Sequence, residues 1–310
     1  MPAPFTIDPV LTGLVIAYQN GAYIADRVLP RLEPVLSRSE FKYSAYNFGE
    51  AVSLISTKVG RKGTPNEIEV TLTDTPSATE DFALDDVVPQ DDIDQAPAAY
   101  DPVAAAAVRV RDQIMLDREQ RAAGLVFNAA TYGAANKVTL SGTSQWSDAT
   151  SNPIKAIGDA RDQMVMPPNI LVLGQLAWTG LRRNPAIVSS ISFSGTSNGM
   201  ASIRAVADLL ELDDIVVGTA WINSARRGQT ASLGRVWGKH AALLRLDRNA
   251  NAKGDVPTFG FTAQYGRPVA GTIPEPKVGL RGATRVRSGE SVKEVICAAD
   301  LGYFFQNAVA

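Results

Sequence analysis

The sequence predicts an α+β fold. Three observations carry this. "DPVAAAAVRVRDQIMLDREQRAAGLVF" reads as one long helix, and several shorter segments alternate apolar and polar residues at the strand period. The two kinds of element interleave without a regular βαβα rhythm. The chain has 310 residues, 45% of them hydrophobic, which is ample for one large domain or two modest ones. A net charge of −2 gives no global basic excess for nucleic acid or an anionic membrane. The single cysteine, Cys297, excludes an intramolecular disulfide and reads as a small buried residue in "EVICAADLGYFF". No run of about 20 apolar residues is there to cross a bilayer. "MPAPFTIDPV" lacks the basic and apolar regions of a secretion signal.

Taken in order, "DPVLTGLVIAYQN" predicts a short helix. "RVLPRLEPVLS" is broken by Pro30 and Pro34 and suits an extended arm lying on another surface. Its apolar residues, Val28, Leu29, Leu32, Val35 and Leu36, need a partner. Phe41, Tyr43 and Ala45 then alternate with Lys42 and Ser44, and Ile68, Val70 and Leu72 alternate with Glu67, Glu69, Thr71 and Thr73. With the polar, basic "STKVGRKGTPNE" between them, these predict two strands joined by a long loop. A two-stranded ribbon has little core and would gain order on a neighbour.

From Asp74 to Asp94 there are eight acidic residues and no basic ones. This stretch reads as a solvated connector, or as a patch for a basic partner surface. The C-terminal third offers such a surface in Arg267, Lys277, Arg281, Arg285, Arg287 and Lys293. The carboxylates of Asp85 to Asp94 invite a divalent-metal reading, but nothing around them resembles a pocket. No metal and no cofactor is expected.

In the long helix, Asp101 is the N-cap and Pro102 the first helical residue. Val103, Ala106, Ala107, Val110, Ile114 and Leu125 form its apolar stripe, with Arg109, Arg111, Asp112, Asp117, Arg118, Glu119 and Arg121 mostly on other faces. About 27 residues would span roughly 40 Å, the length of a structural strut. A second helix opens at Asn152-Pro153, and "PPNILVLG" follows as a buried strand. "QLAWTGLRRNP" is a helix closed by Asn184-Pro185. Ala186 to Phe193 reads as a strand and "ASIRAVADLLEL" as a helix. "DDIVVGTAWINS", "RVWGKHAALLRLD", "VPTFGFTAQYGRPVAG" and "ESVKEVICAADLGYFFQNAVA" read as strands.

One segment imitates chemistry. "SGTSNGM" contains Gly195-Thr196-Ser197-Asn198-Gly199, the nucleophile-elbow pattern G-x-S-x-G. Asp208, Asp213 or Asp214 and then His240 follow in the order of a hydrolase triad. Against this, "SSISFS" is not the apolar run of a buried strand. The interval from Ser197 to His240 is also too short for several βα units, and no oxyanion loop precedes the serine. The stretch reads instead as a polar loop, with Asn198 or Ser202 capping the next helix. His240 reads as a half-buried or interface histidine. No dinucleotide or P-loop motif occurs.

The order of parts resembles the major capsid proteins of tailed bacteriophages, whose Hong Kong 97-type fold encapsulins share. The resemblance is carried by "VLPRLEPVLSRSEFKYSAYNFGEA", "NILVLGQLAWTGLRRNPAI" and "DIVVGTAWINSA". It implies an N-terminal arm over 1–38 and an extended two-stranded E-loop with an acidic connector over 39–95. The spine helix with part of a peripheral domain would occupy 96–165, an axial domain 166–255, and a return to the peripheral domain 256–310. It further implies hexamers and pentamers forming an icosahedral shell around double-stranded DNA, bound without sequence specificity. Scaffold, portal and decoration proteins are its implied partners, with a separate scaffold or none, because the arm begins so near Met1. Assembly in the host cytoplasm is implied, and no enzyme. An encapsulin-type compartment is the alternative within the fold, and a hydrolase using Ser197 and His240 a distant one. Intersubunit contacts are expected at Lys58, Arg61 and Lys62 in the loop and at Arg182 and Arg183. Opposite charge on 74–94 and 267–293 is expected to guide docking between subunits. In some relatives a loop lysine is cross-linked to an asparagine; Lys58, Lys62 and Asn307 hold the matching places.

Overall fold

The computed structural model describes residues 5–33, 35–45, 54, 56–61, 63–67, 73–192, 199–226, 228–248 and 256–310. The chain opens with β1 (Thr6–Ile7), α1 (Pro9–Ala17) and α2 (Ala25–Val28). Asp8 caps α1 by accepting the Val10 and Leu11 N–H groups, with Pro9 at the first position. Next come β2 (Glu40–Ala45), β3 (Thr73–Ala78), β4 (Glu80–Pro89) and α3 (Gln90–Asp94). The long helix is α4 (Pro102–Val126), 25 residues capped by Asp101 as expected. It is followed by β5 (Lys137–Thr139), α5 (Pro153–Gln163), β6 (Ile170–Gly174), α6 (Gln175–Arg183), α7 (Pro185–Ile191), α8 (Ile203–Leu209) and β7 (Asp214–Gly218). The remaining strands are β8 (Trp221–Asn223), β9 (Leu233–Arg235), β10 (Ala241–Leu244), β11 (Gly260–Glu275), β12 (Ala283–Ile296) and β13 (Gly302–Gln306).

Two sheets organise the described residues. One has the order β5-β13-β10-β6-β7, antiparallel at its centre, with β5 and β7 added in parallel at the edges. All of β6 and β10 is buried, so their sequences are continuously apolar rather than alternating. Leu171, Leu173, Ile215, Leu243 and Phe305 share one core cluster with residues of α5 to α8. Ile170, Val172, Val216, Leu244 and Phe304 share another with the C-terminal part of α4, Trp237 and Phe259. The other sheet, β1-β11-β12-β4, is antiparallel and built on the long β11–β12 hairpin. Ala106 and Ala107, near the start of α4, pack there with Leu11, Val15, Val88, Ala270 and Val286. The long helix is therefore a strut that joins two cores.

Several expectations are corrected. Ala186 to Ile191 is helical, not extended: Asn184 closes α6 and its carboxamide oxygen caps α7, with Pro185 at the first position. The acidic stretch is no connector, because residues 73–89 form strands β3 and β4. The faces of α4 outside its apolar stripe are not all open to solvent, since Arg111, Arg118 and Glu119 are buried. The arm also finds cover within its own chain. Val28 and Leu29 pack among Ala122, Val126 and Phe259, and Leu32 among Phe261, Ala263, Val295 and Cys297. Arg31 and Leu36 bridge to Thr262 and Tyr265, so the arm runs beside β11. The expected strand residues Ile68, Val70 and Leu72 lie outside the described residues, whereas β2 forms as read and pairs with β3.

Candidate assembly surfaces and the ionic seam beneath them

The middle of α4 fastens the arm to the sheets with charge rather than apolar packing. Arg111 donates to Glu290 Oε2 at 2.8 Å, and Arg31 approaches the same oxygen at 3.1 Å. Arg118 pairs with Asp26 of α2 and lies 3.5 Å from Glu294; it also donates to Thr262 Oγ1 at 3.1 Å. Arg121 joins Glu294 at 3.1 Å. Glu119 accepts the Ile24 and Ala25 N–H groups, each at 2.8 Å, and the Trp237 indole N–H at 2.6 Å. Those two amides belong to the orphan donors at the start of α2, whose N-cap Ile24 has no side-chain oxygen. Glu119 thus caps α2 from a separate element. About two turns earlier, Asp112 accepts from the Tyr18 hydroxyl (3.0 Å), Asn20 Nδ2 (2.9 Å) and the Tyr23 hydroxyl (3.2 Å). A cleft of about 1150 Å³ lies between the arm and this face of α4, lined by Tyr18, Tyr23, Arg31, Arg111 and Gln264 among others.

Burial pushes the Glu119 carboxyl above its usual range, against the pull of its three hydrogen bonds. Burial pushes Glu290 the same way, but the Arg31 and Arg111 guanidiniums outweigh it and hold its carboxyl below the usual range. Asp26 is likewise lowered, by Arg118 and Arg31 against burial. A depressed carboxyl contributes stability above its unfolded pKa of about 4 that is lost as pH falls through the folded value. The urea midpoint of the wild-type subunit is therefore expected to fall steeply below about pH 4. Glu290→Gln is expected to be weaker at pH 7 and to lose less on acidification. Parallel pH curves for the two proteins would contradict this.

The acidic run and the basic C-terminal third meet inside one subunit. Strand β4 pairs antiparallel with β12. Asp85 takes two hydrogen bonds from Arg287, both 2.7 Å, and pairs with Arg285 at 3.3 Å. Glu80 pairs with Lys293, Asp86 with Arg109 at 2.7 Å, and Asp91 with Arg281 at 3.1 Å. This corrects the expectation that these charges guide one subunit to the next. They tie β4 and α3 to β12, the turn before it and α4 instead, and each exposed pair adds little stability. Among the described residues, no group of His, Cys, Asp and Glu is arranged to hold a metal.

The triad reading also fails where it is described. His240 Nδ1 accepts the Asn307 backbone N–H at 3.0 Å, and its ring packs edge-on to Phe127. Burial lowers its pKa, so it is a neutral acceptor holding the chain end. Asp214 is paired with Arg27 at 2.6 Å, while Asp208 and Asp213 lie exposed. Ser197 lies outside the described residues. Cys297 is buried among Leu32, Phe261 and Val295, which pushes its thiol up to about 12.

Lys58 and Arg61 are exposed on the loop, and Lys62 lies outside the described residues. Arg182 is half-buried, 5.5 Å over the Trp178 ring, whereas Arg183 is exposed. Lys58 and Arg61 lie between β2 and β3, whereas Arg182 and Arg183 end α6. The seam itself is not read from the sequence, although a signal exists: the apolar stripe lapses between Ile114 and Leu125, the span that holds Arg118, Glu119 and Arg121.

Known proteins resemble this chain over nearly its whole length. The family model for phage major capsid protein E matches residues 106–223. The major capsid protein of Pseudomonas phage JBD67 is 51% identical over 308 residues, covering 99% of each chain. That of Burkholderia phage BcepMu is 26% identical, over 96% of this chain and 95% of its own. Among solved structures, a phage-related protein from Bordetella bronchiseptica RB50 has a TM-score of 0.74 at 22% identity, covering 98% of each chain. The capsid protein of cyanophage P-SCSP1u has a TM-score of 0.56 at 10% identity, covering 94% of this chain and 89% of its own. The second group shows the fold, and the first shows more. The chain has the Hong Kong 97-type capsid fold, is a structural protein rather than an enzyme, and belongs to the family of phage major capsid proteins.

Proposed function

We propose that this capsid protein self-assembles as hexamers and pentamers into an icosahedral virion shell around double-stranded DNA, in the cytoplasm of the host. Scaffold, portal and decoration proteins are further partners under this reading. Residues 1–38 act as the arm, 39–95 as the intersubunit E-loop and its return strand, 96–165 as the spine and part of the peripheral domain, 166–255 as the axial domain and 256–310 as the peripheral return. The observation that carries the contact assignment is the loop. Every described residue from 54 to 67 is exposed, including Leu54 and Val59 beside Lys58 and Arg61. Among the described residues, the bonds from Asn66 Nδ2 to Ser56 O and from Gly63 N–H to Gly60 O run within the loop. An ordered turn that leaves apolar residues in water fits a segment completed by a neighbour. Lys58, Arg61 and Lys62 form its contact edge, and Arg182 and Arg183 contribute a second contact at the end of α6.

Electron microscopy of purified protein tests the reading: shells tens of nanometres across are expected, whereas a stable monomer would overturn it. Deleting residues 58–65 is expected to leave the subunit's melting temperature within about 2 °C of wild type, since no core residue is lost. Shell yield is expected to fall at least about tenfold, as for loss of an interface hot spot. Normal shells from the deleted protein would remove the loop from the interface.

A further inference from the structure

We propose that the β8–β9 hairpin is one half of a head-to-tail contact with a second copy of this chain, and that the acidic end of β7 is the other half. The inference rests on the shell-forming role proposed above. The hairpin forms a sheet of its own, tied at its base by Val236 N–H to Ala220 O. In its register Trp221 faces Arg235 and Asn223 faces Leu233, which puts all four side chains on one face. That face is open: Trp221 is 53% and Leu233 67% exposed. The opposite face is sparse, since a Cβ at Gly234 would meet nothing within 4 Å.

The exposed face is also pre-organised. The Arg235 guanidinium stacks 3.9 Å over the Trp221 ring and donates to Thr219 O. Asn223 Oδ1 accepts the Ala225 and Ser232 N–H groups at 3.1 and 2.9 Å and so fixes the turn. A rigid Trp–Arg pair beside an exposed leucine has the make-up of an interface anchor.

Charge selects the occupant. From Ile215 to His240 the sequence carries Arg226, Arg227, Arg235 and Lys239 and no acidic residue, whereas Arg245 follows β10 at the other end. At the other end of β7, residues 205–214 carry Asp208, Glu211, Asp213 and Asp214 and no basic one. Glu211 and Asp214 are paired with Arg161 and Arg27, while Asp208 and Asp213 are exposed and make no ion pair among the described residues. The basic and acidic ends are thus separated by the length of β7, about 13 Å. A reciprocal two-fold contact would use up both ends in a closed pair, whereas a shell needs each copy to offer one end to the next. A head-to-tail contact matches them and, repeated around an axis, closes a ring.

The test is a charge exchange read by sedimentation velocity and electron microscopy of the full chain. Trp221→Ala with Leu233→Ser is expected to raise the concentration needed for assembly at least about tenfold while the far-UV spectrum and melting curve stay those of wild type. Arg226→Glu alone, and Asp208→Arg with Asp213→Arg, are each expected to weaken assembly, and the combined variant to recover it. Wild-type assembly by the Trp221/Leu233 variant, or no recovery in the combined variant, would overturn the contact. A wild-type chain that stays monomeric would instead overturn the shell reading on which the contact rests.

Discussion

Glu119→Ala is expected to cost about 3–5 kcal/mol of subunit stability, the range for removing one member of a buried charged network. The side chain is fully buried and makes three hydrogen bonds. Truncation leaves the Ile24 and Ala25 amides and the Trp237 indole N–H without an acceptor, each at a desolvation cost of about 1–3 kcal/mol. It also leaves Arg118 beside one anion fewer. Some of the loss is recovered if water enters, which keeps the total below the sum. Glu119→Gln should lose less, because its carbonyl still accepts, although its amide must turn away from one donor. The measurement is the urea midpoint at pH 7, with near-UV circular dichroism to follow Trp237. A loss under about 1 kcal/mol for the alanine variant would show that the arm does not depend on this carboxylate.

The same residue shows where sequence reading stops. Asp101-Pro102, Asn152-Pro153 and the apolar run of β6 act locally, so the caps, helices and buried strand were legible. Arg111, Arg118 and Glu119 looked like an outer face because their partners come from residues 24–31 and 290–294, far away in the chain. The acidic run misled for the same reason: whether Asp85 meets Arg287 of its own chain or another's is decided by β4–β12 pairing, which composition does not encode. Ala186 to Ile191 is helical although Ile187, Val188 and Ile191 are β-branched, because Asn184-Pro185 starts a helix as well as ending one. Family layout was legible through the order of its parts, each of which is weak alone. The loop cations were legible as exposed, but exposure alone does not name what they touch.

Gly174→Ala is expected to cost about 3 kcal/mol, the upper part of the usual range for overpacking, because its neighbours are backbone and cannot swing aside. Its φ of −70° is open to any residue, so conformational strain is not the reason. A Cβ there would lie 2.1 Å from Gly238 O and 2.5 Å from Trp237 O. Gly174 pairs with Gly218 at the ends of the parallel strands β6 and β7, and a Cβ at Gly218 would strike the Trp237 ring at 2.1 Å. Two adjacent glycines therefore form the notch into which the turn at Trp237 and Gly238 settles. Displacing that turn moves the Trp237 indole away from Glu119 and strains the Gly174 N–H to His240 O bond of 3.1 Å. Gly234→Ala, where a Cβ meets open space, is the matched control and is expected to change stability by no more than about 0.5 kcal/mol. Because Trp237 links the notch to the seam, Gly174→Ala and Glu119→Gln should couple, and the double variant should lose less than the two singles summed, by about 0.5 kcal/mol or more. Strict additivity would mean that the turn and the arm are held independently. A coupled loss would mean that one indole ties the strut helix, the arm and the five-stranded sheet into one cooperative subunit.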